Sequence, residues 1–347
     1  MDDYSFLGKD VTHWTQSIRR GYGMSFLLFS FHDTGVFNEL KNNHSISSAE
    51  ISKKLGLNNK VLESGLNFLV NADNSIIKDE KGNYQLTEIG EKRLFSDQAT
   101  AMSLGAVGAY HTLLTNYSSM LKNKITYGKD FIRDGRLVAI SSVLTGRANY
   151  SWVAQKFNDL NVDTVVDLGC GSGDIIIDFC NKHKTFNGVG LDIDPTAVEV
   201  AQENVKKNNL ESRIELIVGD MLNPKTYSSK IHSKGEKVAF NAIMALHEFL
   251  RDGKQAVVDV LKKMKKEFPG SYFVLGEFNK CKDSEFQNIP IYERMHMLFY
   301  QEIIHGLTDQ GLASLDEWKE IFKAADVELL EYKADFPFRL VEYVIKF

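Results

Sequence analysis

Three glycines at alternate positions carry the first chemical signal in this chain. Gly169, Gly171 and Gly173 follow the short apolar, β-branched run Thr164–Leu168, which reads as a buried strand. Glycine lets the backbone turn tightly and approach a ligand with no Cβ in the way. Asp174 to Cys180 then begins a helix whose N-terminus points back at the turn. Strand, glycine turn and helix in that order form a nucleotide-type cradle. The spacing is GxGxG, so the dinucleotide fingerprint GxGxxG is not met. A second strand, Gly188 to Leu191, ends at Asp192, about twenty residues after the glycines, where a carboxylate can take both ribose hydroxyls.

The stretch DLGCGSG followed by GVGLDIDP resembles the first two motifs of class I S-adenosylmethionine (SAM) dependent methyltransferases. The resemblance implies a Rossmann-like α/β sheet and SAM as the methyl donor. It assigns cofactor binding to Asp167, Gly169, Gly171, Gly173 and Asp192. It extends to Gly219-Asp220-Met221, after the third strand Ile214–Val218. There the family directs Asp220 to the adenine amine and Met221 to the ring. Without the resemblance, Asp220 is a turn residue after a strand.

Two histidines carry the second signal. The fourth strand, Val238 to Met244, leads into Ala245-Leu246-His247-Glu248-Phe249. In an open α/β sheet, ligands sit at the carboxyl ends of strands, which puts His247 beside the methyl donor. Many O-methyltransferases have a similar His-Asp-Trp at this point, with the histidine as a structural or pocket residue. The fifth strand, Tyr272 to Glu277, ends in a candidate pocket acid whose plain alternative is a surface carboxylate. Ile291 to His305 reads as one long helix, with Met295 and Tyr300 in a soft apolar wall that could line a substrate pocket. His305 closes it. Residues His305 to Phe322 resemble the segment that carries the general-base histidine of plant-type O-methyltransferases, but the usual Gly-Gly-Lys-Glu-Arg is absent. His296, nine residues before His305, is expected on the opposite helix face.

Two imidazoles with positions left for oxygen ligands suit Fe(II) or Zn(II), with Glu302, Glu248 or water completing the shell. This pattern resembles the metal-dependent C-methyltransferases that act on α-keto acids in specialised metabolism. The resemblance implies that His247 and His305 are both metal ligands and catalytic residues, and that methyl transfer goes to the β-carbon of a metal-chelated keto acid. Arg147 could hold the substrate carboxylate; its plain alternative is a surface or helix-capping charge. The competing reading is a metal-independent O-methyltransferase of a phenolic small molecule, with His305 as general base.

These residues require particular elements around them. Residues 161–347 form the catalytic domain, whose last two strands, Val327 to Tyr332 and Leu340 to Ile345, are expected as an antiparallel hairpin at the sheet edge. Residues 101–160 read as a helical linker, which the resemblance implies is also an active-site roof. Within 1–100, Ser47 or Ser48 caps a helix that Gly56 ends, Asn58 to Val70 forms another, and Ser75 to Leu86 makes a small β-wing: a winged helix-turn-helix. The module resembles the dimerisation domain of small-molecule O-methyltransferases, which implies a homodimer. A winged helix also suits a SAM-binding DNA regulator, yet the second helix carries acids and few bases, so no nucleic-acid partner is expected.

The net charge of −5 over 347 residues is mixed along the chain, with no basic stripe that tracks phosphates. The three cysteines, Cys170, Cys180 and Cys281, are widely spaced, which points to a reducing compartment. Asp2 and Asp3 open a terminus with no signal-peptide pattern, and Met24 to Phe31 is too short to span a bilayer. A cytoplasmic enzyme acting on a small-molecule substrate, away from membranes, is the expectation.

Overall fold

The computed structural model describes residues 8–334 and 340–347; Asp2 and Asp3 lie outside the described residues. The chain divides into two compact units, Met1–Thr145 and Gly146–Phe347.

The first unit contains the winged helix-turn-helix. Ser47 caps the helix Ser48–Leu55 through a capping box with Glu50, and Gly56 ends it at φ 67°. Asn58 caps the helix Asn59–Ala72. Strands β1 (Ile76–Lys78) and β2 (Tyr84–Leu86) pair antiparallel as the wing. Val36, Phe37, Leu62, Leu66, Ile76 and Tyr84 close a core under them. The segment from His111 to Leu121 is two short helices that meet at Asn116.

The second unit is a seven-stranded sheet. Its strands are β3 (Thr164–Leu168), β4 (Asn187–Asp192), β5 (Ile214–Val218), β6 (Val238–Ile243), β7 (Tyr272–Phe278), β8 (Glu328–Lys333) and β9 (Leu340–Lys346). They run in the order β5-β4-β3-β6-β7-β9-β8. β3 to β7 are parallel, and β9 is antiparallel to both neighbours. The order reverses at β3, which has β4 on one side and β6 on the other, so a crevice opens at the carboxyl ends there. One face packs on Tyr150, Val153 and Phe157 and on the helix Asp174–Lys182; the other packs on Leu261, Met264, Trp318 and Phe322.

The last two strands do form an antiparallel hairpin, but only β8 is at the edge. Leu340 to Ile345 are buried without a break, whereas β8 is mostly exposed. A strand apolar on both faces is stable only between two neighbours, so β9 inserts between β7 and β8.

Candidate active site

The glycine turn is held in a conformation that side chains resist. Gly169, Gly171 and Gly173 have φ of 74°, 53° and 80°. A Cβ on Gly173 would also meet Ala201 at 3.2 Å. Gly169 and Cys170 donate their amides to the Leu191 carbonyl at 2.8 and 3.0 Å, which ties the turn to the end of β4. Asp192 faces the same turn, and its Oδ2 accepts from the Gly171 amide at 2.8 Å. The Met221 methyl stands 3.8 Å from where a Gly169 Cβ would be, so that side chain also lies at the turn. Asp220 accepts from the Leu222 amide and the Asn223 side chain at 2.9 and 2.7 Å.

Asp167 is sealed inside the sheet. It accepts from Asn241 Nδ2 at 2.7 Å, and burial pushes its carboxyl up to about 7.

At the carboxyl end of β6, Met244 takes a φ of 55°, rare for a side-chain-bearing residue, and donates its amide to the Gly276 carbonyl at 2.7 Å. This bend turns the next two amides towards Glu277, whose Oε1 accepts from Leu246 at 2.7 Å and from Ala245 at 3.2 Å. Oε2 of Glu277 meets His247 Nδ1 at 2.8 Å. Glu277 is fully buried and His247 is 5% exposed, so this pair is shielded from water. A carboxylate can only accept, so Nδ1 carries the hydrogen and the lone pair is on Nε2. The plain alternative for Glu277, a surface acid, does not hold.

His305 lies against this pair, its ring centroid 5.2 Å from that of His247. Its Nδ1 donates to the Tyr300 carbonyl at 2.7 Å. The helix Ile291–Leu298 does not continue as an α-helix to His305 but widens into a π-helix over Phe299–His305. That change of pitch shifts the side-chain phase between Tyr300 and His305, while His296 sits one α-helical turn before Tyr300. Its ring lies 4.8 Å from Tyr300, which stacks on Phe278 at 5.4 Å, and Phe278 meets His305 at 5.7 Å. Four-residue periodicity cannot anticipate a π turn.

Other predicted residues are not brought into this cluster. Met295 is 57% exposed, while Met297 packs inward on Cys281 and Phe286. Arg147 is exposed and lines a cleft of about 400 Å³ with Tyr150, Asp174 and Asp178. Glu248 accepts from Gln310 at 3.0 Å, and Glu302 is exposed beside Gln301. Among the described residues no group of three histidine, cysteine or acidic side chains is arranged for a metal.

The reading by sequence missed Asn149, Asn241, Phe278 and Glu342. Asn149 Nδ2 donates to Glu342 Oε1 at 2.7 Å, and both are buried. One signal was available: Glu342 is a lone charge inside the apolar run Leu340–Ile345.

The chain matches the methyltransferase-domain family over residues 161–326. By that match, residues 161–326 carry a methyltransferase domain. The matched residues include strands β3 to β7, the glycine turn after β3 and Asp192 at the end of β4. The structure is similar to that of mitomycin 7-O-methyltransferase (TM-score 0.68, 14% identity, 97% of this chain and 98% of that one). It is also similar to the pyocyanin biosynthetic protein PhzM (TM-score 0.66, 15% identity, 97% and 99%). A third is an O-methyltransferase of neocarzinostatin biosynthesis bound to SAM and a methyl naphthoic acid (TM-score 0.60, 18% identity, 93% and 95%). At these identities the likeness is one of fold. Ribosomal protein L11 methyltransferase of Klebsiella pneumoniae is 41% identical over 58 residues, 17% of this chain. The match spans 20% of that relative's length. Among the described residues no helix is long and apolar enough to cross a membrane.

Proposed function

We propose that this chain transfers the methyl group of SAM to a small molecule of specialised metabolism, with His247 as proton acceptor. The observation that carries the proposal is the buried 2.8 Å contact between His247 Nδ1 and Glu277. It fixes the tautomer and aims Nε2 away from the carboxylate, as a general base requires. The methyl carbon leaves the sulfonium sulfur as its bond to the substrate's nucleophilic atom forms. The proton of that nucleophile passes to His247 Nε2, and S-adenosylhomocysteine is released. Glu277 stabilises the resulting imidazolium. The roles differ from the expectation of His305 as base, because the carboxylate sits at His247.

SAM is assigned to the glycine turn, with Asp192 on the ribose, Met221 on the adenine ring and Asp220 beside it. The in-line approach of the two reactants supplies most of the acceleration. His247→Ala is expected to lower kcat by ~10²–10⁴-fold with SAM affinity retained by calorimetry. Unchanged turnover in that variant removes the base from the scheme.

A second reading has its own observation. Both imidazoles commit Nδ1, one to a carboxylate and one to a carbonyl, which is how metal-bound histidines are usually oriented. His247 and His305 would hold a transition metal, with the remaining positions left to water and substrate. The ion would supply Lewis-acid polarisation of an α-keto acid on its way to C-methylation. Elemental analysis decides: about one equivalent of iron or zinc, lost in His247→Ala and His305→Ala, supports it. Chelator-indifferent turnover of a phenol defeats it.

The N-terminal unit is assigned to homodimer formation. Val11, Trp14, Ile18 and Tyr22 recur at helical spacing on Gly8–Asp33 and are 45%, 65%, 51% and 70% exposed. Sedimentation of Trp14→Glu tests this: a dimer that becomes a monomer is the expected result.

A further inference from the structure

Glu342 is a fully buried acid in a strand that otherwise carries apolar residues up to Ile345, and the chemistry above does not use it. It faces Gly276 across the β7–β9 ladder, one rung from the pairing of Glu277 with Val341. Its carboxyl fills the space that a side chain at 276 would need: a Cβ there would lie 2.6 Å from Oε1 and 2.9 Å from Oε2. Gly276 is also the residue whose carbonyl anchors Met244, and so the bend that turns two amides onto Glu277. Glu342 thus packs on the peptide that carries Glu277 and holds its partners in place.

The hydrogen bonds of Glu342 have a matching gap. Asn149 Nδ2 donates to Oε1, while Oε2 and Asn149 Oδ1 have no partner among the described residues. Both atoms are acceptors when Glu342 is ionised, and both belong to the same side-chain pair. One proton on Oε2 supplies a donor that could meet Oδ1, closing an acid–amide pair with no unsatisfied atom. The surroundings favour that proton. The helix Gly135–Asp159 presents Asn149, β7 presents Gly276 and the charge of Glu277, and Lys333 of β8 is the register neighbour. Burial and the Glu277 charge push the Glu342 carboxyl up to about 8, against the opposing Asn149 bond.

We propose that Glu342 is a positioning residue of the Glu277–His247 pair, and that it holds the pair in its working geometry only while it keeps its own proton. A neutral Glu342 packs against Gly276 and leaves Glu277 as the one buried charge beside His247. An ionised Glu342 places a second carboxylate one rung away, which displaces the Gly276–Glu277 segment and loosens the hold on His247 Nδ1. The inference rests on the His247 base for its kinetic consequence, and its test includes a readout that needs no substrate.

Glu342→Gln is the decisive variant, because its amide mimics the protonated acid and cannot ionise. At pH 7, kcat is expected within about threefold of the wild type. From pH 7 to pH 9 the wild type is expected to lose about tenfold in kcat, as a group titrating near 8 implies. The variant loses far less. The ring nitrogen-15 shifts of His247, read without substrate, follow the same pattern: a step near pH 8 in the wild type that is absent in the variant. Superimposable profiles for the two proteins overturn the proposal, and so does a wild-type His247 spectrum without that step, which needs no variant to fold. Retained turnover in His247→Ala would sink the base while leaving the nitrogen readout to judge Glu342.

Discussion

His247 and Glu277 are separated by 30 positions, and neither residue type alone predicts chemistry. What makes them a unit is that Glu277 has both oxygens committed: one takes two backbone amides, the other orients the imidazole. Glu277→Gln keeps the size but not the charge, so kcat is expected to fall by ~10²-fold or more with KM little changed. Rates with saturating SAM check this; a variant as fast as wild type removes Glu277 from the scheme. At the other end of the cradle, Asp192 is already hydrogen-bonded to the turn it faces. Asp192→Ala is expected to weaken SAM binding by ~10–100-fold, since bonds to a charged acceptor contribute ~1.5–3 kcal/mol. Calorimetric titration measures it, and a dissociation constant within twofold of wild type moves the ribose elsewhere.

At the scale of elements, β7 and β9 are coupled through a glycine and an acid. Gly276→Ala pushes a methyl into the Glu342 carboxyl and is expected to cost about 1–3 kcal/mol of stability. Glu342→Ala removes the obstacle and leaves Asn149 without its acceptor. The double variant should therefore be more stable than the sum of the single losses, by on the order of 1 kcal/mol. Urea unfolding of the four proteins closes that cycle, and strict additivity would show that the two positions do not touch. The π-helix over Phe299–His305 is a second case in which an element decides the site. Its wider turn brings Tyr300 and His305, five positions apart, together on Phe278, where an α-helical count sets them on different faces.

For the whole molecule, the two buried acids with raised titration give stability a definite pH dependence. Asp167 rises from an ordinary 3.8 to about 7, and Glu342 from 4.5 to about 8. Between those limits the folded chain binds protons that the unfolded chain does not. Their contribution is fully present below about pH 4 and is lost as pH rises through the folded values. Half-buried acids such as Glu317, held low by the Ser314 amide, act in the opposite sense and lose their contribution only in acid. The melting temperature is therefore expected to fall from pH 5 to pH 8.5, and to fall less in Glu342→Gln. A wild-type curve that rises over this range contradicts the burial of both acids.

The sequence alone determined the cradle. Glycines at alternate positions, an acid about twenty residues on and apolar runs between them are local requirements, written in residues close along the chain. The winged helix was legible for the same reason, since its caps and turns are set by neighbouring residues. Two histidines could be picked out by their places after β6 and at the end of a helix. The tertiary structure alone decided their partners. Glu277 reaches His247 through a strained bend at Met244, Tyr300 reaches His305 through a π turn, and Asn149 reaches Glu342 across 193 positions. Such contacts depend on strand register and helix pitch, which no single stretch of sequence specifies, because they are fixed only when both partners are buried against the same sheet.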